Sequence, residues 1–294
     1  MTTLIFGVDV STSAAHGDNP VTAARAAERL GYDFVSASDH PCGDHPSYET
    51  PTLLTWIAAH TSRIAVATRV LGVPFRRPAM VAKMAASLDL LSGGRFILGL
   101  GAGHADTEID ALGGPVPSAR AKVEGLAEAV QIIRGAWTGS GYSHRGQYHS
   151  AHDLEMQPRP AHRIPMWLGT FGPRALAVTG QLADGWIPSL GFAPPDRIPA
   201  MRQRIDAAAE EAGRDAADIQ GIYNVGIRLD PDASPQPGFL TGSPTQIIAQ
   251  LNSHLELGFT GFNFQPTGPG RADQVARIAE EILPSMRGQA GKDA

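Results

Sequence analysis

Cysteine is nearly missing from this chain: Cys42 is the only one in 294 residues. A lone thiol forms no internal disulfide and cannot supply a thiolate zinc cluster, and it fits a reducing compartment. No run approaches the roughly 20 apolar residues that a membrane span needs, so no membrane partner is expected. The N-terminus lacks the basic region and long apolar core of a signal peptide, which makes the cytoplasm the expected location. A cationic excess is missing too. Net charge is −5, and Arg76-Arg77 is too short a basic run to track a nucleic-acid backbone, so no nucleic acid is expected. The patterns H-E-x-x-H, G-x-S-x-G and the P-loop do not occur, and Asp and Glu are scattered. No metal is expected. His144, His149 and His152 share one segment, at spacings of five and three, with no carboxylate placed to complete a site.

What is present describes an ordinary folded protein: 43% hydrophobic and 18% charged residues, in a chain long enough to bury a full core. Gly 33 and Pro 23 imply many turns. Leu4–Val10 reads as a buried strand, and residues 20–30 as a helix that starts at Pro20, carries Val21, Ala24, Ala27 and Leu30 at helical spacing, and stops at Gly31. The alternation continues with a strand over 33–38, a helix over 50–60, a β-branched run from Ile64 to Val73, a helix over 78–91, a strand from Arg95 to Leu100 and a long helix from Ala119 to Trp137. The second half repeats it. Strands are expected at 165–169, 185–188, 221–229 and 259–264, with helices at 173–182, 196–212, 243–257 and 271–287; Ser243-Pro244 signals the start of the third of these. Eight strands alternating with eight helices predict an α/β fold, a (β/α)8 TIM barrel over 1–294 as a single domain. A doubly wound open sheet is the rival. A loop or hairpin insertion is expected around 138–160. Residues 230–242, with Pro231, Pro235 and Pro237, read as a long loop near the site.

In such a barrel the strand tips gather the chemistry. Asp39-His40 stands at the tip of strand two. One of the two reaches the barrel mouth if the other turns aside; a helix-capping Asp39 beside a surface His40 is the plain alternative. Histidine titrates near neutrality and is suited to proton transfer. Strand three ends in Val70-Leu71-Gly72-Val73-Pro74-Phe75, apolar enough for a flat ring or for ordinary packing. Strand four runs into Gly99-Leu100-Gly101-Ala102-Gly103-His104, whose glycines would let a ring approach the backbone, with His104 and Glu108 beyond as ring support or as solvated groups. Gly169-Thr170-Phe171-Gly172-Pro173-Arg174 opens a helix, where free N–H groups and the helix dipole favour phosphate. Trp186 lines the pocket or belongs to the core.

These stretches together resemble the bacterial luciferase-like family of flavin and deazaflavin oxidoreductases. The resemblance covers nearly the whole chain. It rests on Ser38-Asp39-His40, Arg76-Arg77-Pro78-Ala79, the run from Leu91 to Gly103, Pro165-Met166-Trp167-Leu168-Gly169, Gly172-Pro173-Arg174, Ala183-Asp184-Gly185-Trp186 and Leu240-Thr241-Gly242-Ser243-Pro244. Ser38-Asp39-His40 is similar to the branch that uses coenzyme F420; the flavin branch, with FMN and oxygen, is the alternative, and a non-catalytic flavin-binding barrel a third reading. The resemblance implies hydride transfer between the deazaflavin and a small, neutral organic substrate, and a homodimer. It implies His40, Asp39 and His104 as catalytic residues, His40 as the proton donor or acceptor. It implies a cofactor site built from Asp39, Val70, Leu71, Gly72, Gly101, His104, Gly169, Thr170, Gly172 and Trp186, with a cis non-proline bond within Val70-Leu71-Gly72 behind the ring. The family's sugar-phosphate dehydrogenases carry glutamate where His104 stands here, and no cluster of Lys and Arg is evident to grip a sugar phosphate, so that activity is not expected.

Overall fold

Short strands buried on both faces, each followed by a helix with one apolar stripe, leave few ways to fold. The computed structural model describes residues 4–15, 17, 19–234, 236–268 and 270–289. The first half contains β1 (Ile5–Asp9), α1 (Pro20–Arg29), β2 (Phe34–Ala37), α2 (Thr50–Ala59), β3 (Ala65–Thr68), β4 (Leu71–Gly72), α3 (Pro78–Ser92), β5 (Phe96–Gly101), α4 (Asp106–Ala111) and α5 (Ala119–Thr138). After it come β6 (Tyr142–Arg145), β7 (Ser150–Leu154), β8 (Met166–Gly169), α6 (Pro173–Leu182), β9 (Gly185–Trp186), α7 (Ile198–Glu211), β10 (Gln220–Leu229), β11 (Phe239–Gly242), α8 (Pro244–Leu255) and β12 (Gly261–Pro266). α9 (Arg271–Arg277) passes through a π-helical turn, Ile278–Ile282, into α10 (Leu283–Gln289).

The parallel strands close in the order β1, β2, β3, β5, β8, β9, β10, β12 and back to β1. This is the expected (β/α)8 barrel, and the open sheet is ruled out by the β9–β10 and β12–β1 pairings. The insertion is a hairpin: β6 pairs antiparallel with β7 across a bulge. The Glu128 carboxylate of α5 ties it down by accepting from the N–H groups of Gln147, Tyr148 and His149 at 2.7–2.9 Å.

Three expectations need correction. The run from Ile64 to Val73 is two strands, because the backbone breaks register at a cis peptide between Arg69 and Val70; that bond lies one peptide earlier than expected. The segment 230–242 is not all loop, since Phe239–Gly242 pairs with Gly226–Leu229; Pro235 lies outside the described residues. A short helix, Asp106–Ala111, follows β5 where none was expected. Ser243 does open α8, in a reciprocal capping box with Gln246.

Side chains two apart on a strand face the same way, so the barrel interior fills in layers. Phe34, Ala67, Trp167, Ile187 and Ile222 form an apolar plug. Two residues further along their strands come Ser36, Asn224 and, from β12, Asn263. They form a chain: Ser36 Oγ donates to Asn263 Oδ1 at 3.0 Å, and Asn263 Nδ2 to Asn224 Oδ1 at 2.9 Å. Another step brings Ser38, Arg69, Gly101 and Gly169 to the open C-terminal rim. Outside the barrel, α6 meets α7 closely: a side chain at Gly180 would run into the Ile205 carbonyl.

His254 of α8 is buried between Tyr223 and Phe262, with Nδ1 unpartnered among the described residues. Burial pushes its pKa from 6.5 down to about 4. As pH falls below 6.5 the unfolded chain takes up a proton that the folded chain refuses, so stability declines with acid and levels off near pH 4. At roughly 1.4 kcal/mol per pKa unit the loss is on the order of 3–4 kcal/mol. His254→Leu is expected to flatten that part of the profile, as read by urea unfolding at pH 4.5, 5.5 and 7.

Candidate active site

The ends of β2, β3, β5, β8 and β9 enclose a cavity of about 510 Å³ at the C-terminal rim, a usual size for a small-molecule site. The choice between Asp39 and His40 resolves by charge. Asp39 turns inward, and its carboxylate side chain has no solvent exposure. Arg76 grips it with both guanidinium nitrogens, at 2.7 and 2.9 Å, and the Gly72 N–H donates to it at 3.0 Å. The same Arg76 reaches Glu49 at 2.7 and 3.1 Å. Glu49 in turn caps α2 by accepting from the Thr52 N–H. Burial acts against the Arg76 charge, but Asp39 and Glu49 outweigh it and raise the pKa above the ordinary arginine value. Burial also acts against Glu49, and Thr52 and Arg76 outweigh it, lowering the pKa. Asp39 is therefore a fixed structural anion of the cavity wall. Both of its oxygens accept hydrogen bonds from the protein itself.

His40 is left to the mouth. Its ring lines the cavity and is 47% exposed. Nδ1 lies 2.7 Å from Glu108 Oε1 on α4, and Ser47 Oγ donates to the His40 carbonyl at 3.0 Å. The His104 ring stands edge-on to His40, centroids 5.7 Å apart. With Nδ1–H donated to the carboxylate, Nε2 keeps its lone pair for a proton at the cavity.

The remaining candidates divide. Val70, Gly72, Gly101, His104, Gly169, Thr170 and Gly172 all line the cavity. The glycines act differently from expectation, however. A Cβ at Gly101 would stand 2.7 Å from Val70 Cγ2, and one at Gly169 3.2 Å from it. Val70 thus occupies the space above both, and a ligand meets its methyl groups rather than bare backbone. Gly172 does face open space, with nothing within 4 Å of where its Cβ would be, at the uncapped N-terminus of α6. Thr170 presents no hydroxyl to the cavity, because that group is paired with Thr179 Oγ1 at 2.7 Å.

Two residues fall outside the lining. Leu71 has the opposite parity and lines a separate groove with Val81 and Leu88 of α3. Trp186 is core: its Nε1–H donates to the Thr170 carbonyl at 3.0 Å and its ring stacks on Phe259. Sequence reasoning missed Arg69, Phe171, Phe192 and Asn224, which also line the cavity. Arg69 and Asn224 share strand parity with interior residues, and that signal would have found them.

Comparison with known proteins follows the same outline. The luciferase-like monooxygenase family model matches residues 2–234. An F420-dependent glucose-6-phosphate dehydrogenase of Microbacterium testaceum is 31% identical, over 97% of this chain and 98% of that protein. A protein of the same name from Kribbella flavida is 28% identical, over 89% and 92%. An F420-dependent secondary alcohol dehydrogenase, solved with an F420–acetone adduct, superposes with a TM-score of 0.87 at 18% identity, covering 96% of this chain and 99% of that one. The coenzyme F420-dependent tetrahydromethanopterin reductase of Methanopyrus kandleri gives 0.83 at 21%, covering 96% and 99%. At these identities the two solved structures share the fold.

Arg76→Met would leave Asp39 and Glu49 without their cation. Breaking such a buried pair costs about 3–5 kcal/mol. Thermal unfolding is expected to show that loss, and the double variant Arg76→Met, Asp39→Asn to recover part of it.

Proposed function

The chain belongs to the luciferase-like monooxygenase family, and on that footing we propose that it is a coenzyme F420-dependent oxidoreductase acting on a small-molecule substrate. The observation that carries the reading is the cavity itself: one wall offers a flat apolar face, one end an open helix N-terminus, and one edge an imidazole–carboxylate pair. Bound there, F420 would supply a two-electron centre that gives or takes a hydride.

The residues fit that group. Val70 presents methyl groups to a ring, and Phe171 and Ile187 add apolar surface. The free space at Gly172 and the uncapped start of α6 suit a phosphate. His40 Nε2 takes a proton from the substrate, or returns one, as the reaction direction requires. Glu108 holds the imidazole in the tautomer that makes this possible. His104 packs edge-on and limits the swing of His40. Asp39, through Arg76 and the Gly72 N–H, fixes the wall behind them.

The test is a titration of the purified protein with F420 and, separately, with FMN. Saturable F420 binding is expected, with FMN far weaker; tight FMN binding with oxygen consumption would overturn the reading. His40→Asn is expected to lower kcat by about 10²–10⁴-fold, as loss of a general acid–base does, while F420 affinity stays within about twofold by the same comparison.

The same reading takes the protein as a single folding unit and a cytoplasmic homodimer. Among the described residues no helix is long and apolar enough to cross a membrane. Support for the dimer comes from α2 and α3, where Trp56 is 60% and Met80 58% exposed, with Tyr48 nearby. Tyr48 and Trp56 line a surface groove together with Val21 and Leu53. Sedimentation of the wild type is expected to give a dimer, and Trp56→Glu a monomer.

A further inference from the structure

Arg69 is the one cavity-lining residue whose charge is not neutralised at close range. Its guanidinium reaches the cavity from the end of β3, yet no hydrogen bond from its side chain is made among the described residues, and Nε is buried without a partner. The nearest carboxylate is Asp9 at the tip of β1, at 3.7 Å, an ion-pair distance but not a hydrogen bond. Asp9 is already taken: Arg271 donates to its Oδ1 at 2.5 Å and to its backbone carbonyl at 2.8 Å. Two guanidinium cations thus share one carboxylate. Across the rim, the Asp39 charge is spent on Arg76.

We propose that Arg69 binds a carboxylate of the substrate, so that this enzyme acts on a carboxylic acid rather than on a neutral compound. The proposal rests on the oxidoreductase reading above and names its substrate class. A guanidinium with its donors unfilled presents a planar fork matched to a carboxylate, and a second anion there balances Asp9, Arg69 and Arg271 to zero. The expectation of a neutral substrate came from apolar strand ends; Arg69 sits within that run and faces inward with Ala65 and Ala67.

The cofactor also carries acidic groups, so the two sources must be separated. Geometry favours the substrate. Arg69 stands at the end of β3, two strands from the open helix N-terminus after β8, and its guanidinium leans the other way, to 3.7 Å from Asp9 on β1. An anion seated at Gly172 therefore leaves Arg69 to a second ligand.

The experiment compares acid–amide pairs of one shape, acetate with acetamide, benzoate with benzamide and phenylacetate with phenylacetamide, by calorimetry on F420-loaded and cofactor-free protein. In the wild type at least one acid is expected to bind about tenfold or more tighter than its amide, the ratio expected of a charge-assisted hydrogen bond. Arg69→Met should bring that ratio to about one without changing F420 affinity, and Asp9→Asn should raise it by removing the competing carboxylate. Arg69→Lys, which keeps the charge and loses the fork, should fall between, and it serves if the Met variant does not fold. No preference for any acid in the wild type, or a preference that survives in Arg69→Met, overturns the proposal. A parallel fall in F420 affinity on Arg69→Met also overturns it, by assigning Arg69 to the cofactor. Failure of the wild type to bind F420 overturns the oxidoreductase reading instead, while the acid–amide ratio of cofactor-free protein still decides the role of Arg69.

Discussion

The site depends on one guanidinium. Arg76 sits between two carboxylates from different parts of the chain, Asp39 after β2 and Glu49 at the start of α2. A bidentate fork of this kind fixes angle as well as distance. It holds the tip of β2 against the turn that follows β4, and Asp39 extends the same constraint to the Gly72 backbone. Because Asp39 is held inward, the next residue must point elsewhere, and His40 is thereby delivered to the rim. His40, a titratable group at the cavity edge, is thus positioned by an ion pair in the wall beside it.

The second constraint is the two-residue period of the strands. It carries the interior from an apolar plug, through a hydrogen-bonded layer of Ser36, Asn224 and Asn263, to a charged and glycine-rich rim. The polar layer is satisfied internally, so it forms a firm floor. Above it Arg69, which lines the cavity, keeps a buried Nε without a partner among the described residues. A buried donor left open beside a cavity is the kind of group that a bound ligand satisfies.

Much of this was legible in the chain. The alternation of apolar runs with capped, Pro-initiated helices gave the barrel, and the Gly-Pro step at 172–173 gave the helix opening. His40 was visible as a titratable group at a strand tip. Less was legible where two readings share one composition. Trp186 and Val70 are both apolar at strand ends, yet Trp186 packs under Phe259 while Val70 lines the cavity; only three-dimensional placement separates them. Thr170 looked like a phosphate ligand because its neighbours are glycines, but its hydroxyl pairs with Thr179, nearly two turns into α6. Leu71 was misplaced because the chain changes register at Arg69–Val70, which inverts inside and outside for every later residue of that run. Arg69 itself was hidden by its company in a hydrophobic segment, although counting by twos from Ala65 points it inward.

The close approach of α6 to α7 at Gly180 gives the cavity an asymmetry. One end of the pocket is built on a helix locked by backbone contact on its outer side and by the Thr170–Thr179 link on its inner side. The opposite end is built from long side chains, Arg69 at the end of β3, His40 after β2 and Glu108 of α4 behind it. The cavity thus has one immovable jaw and one adjustable jaw. Evolution of new substrates on this scaffold has room to work at the adjustable jaw while the other keeps its hold unchanged.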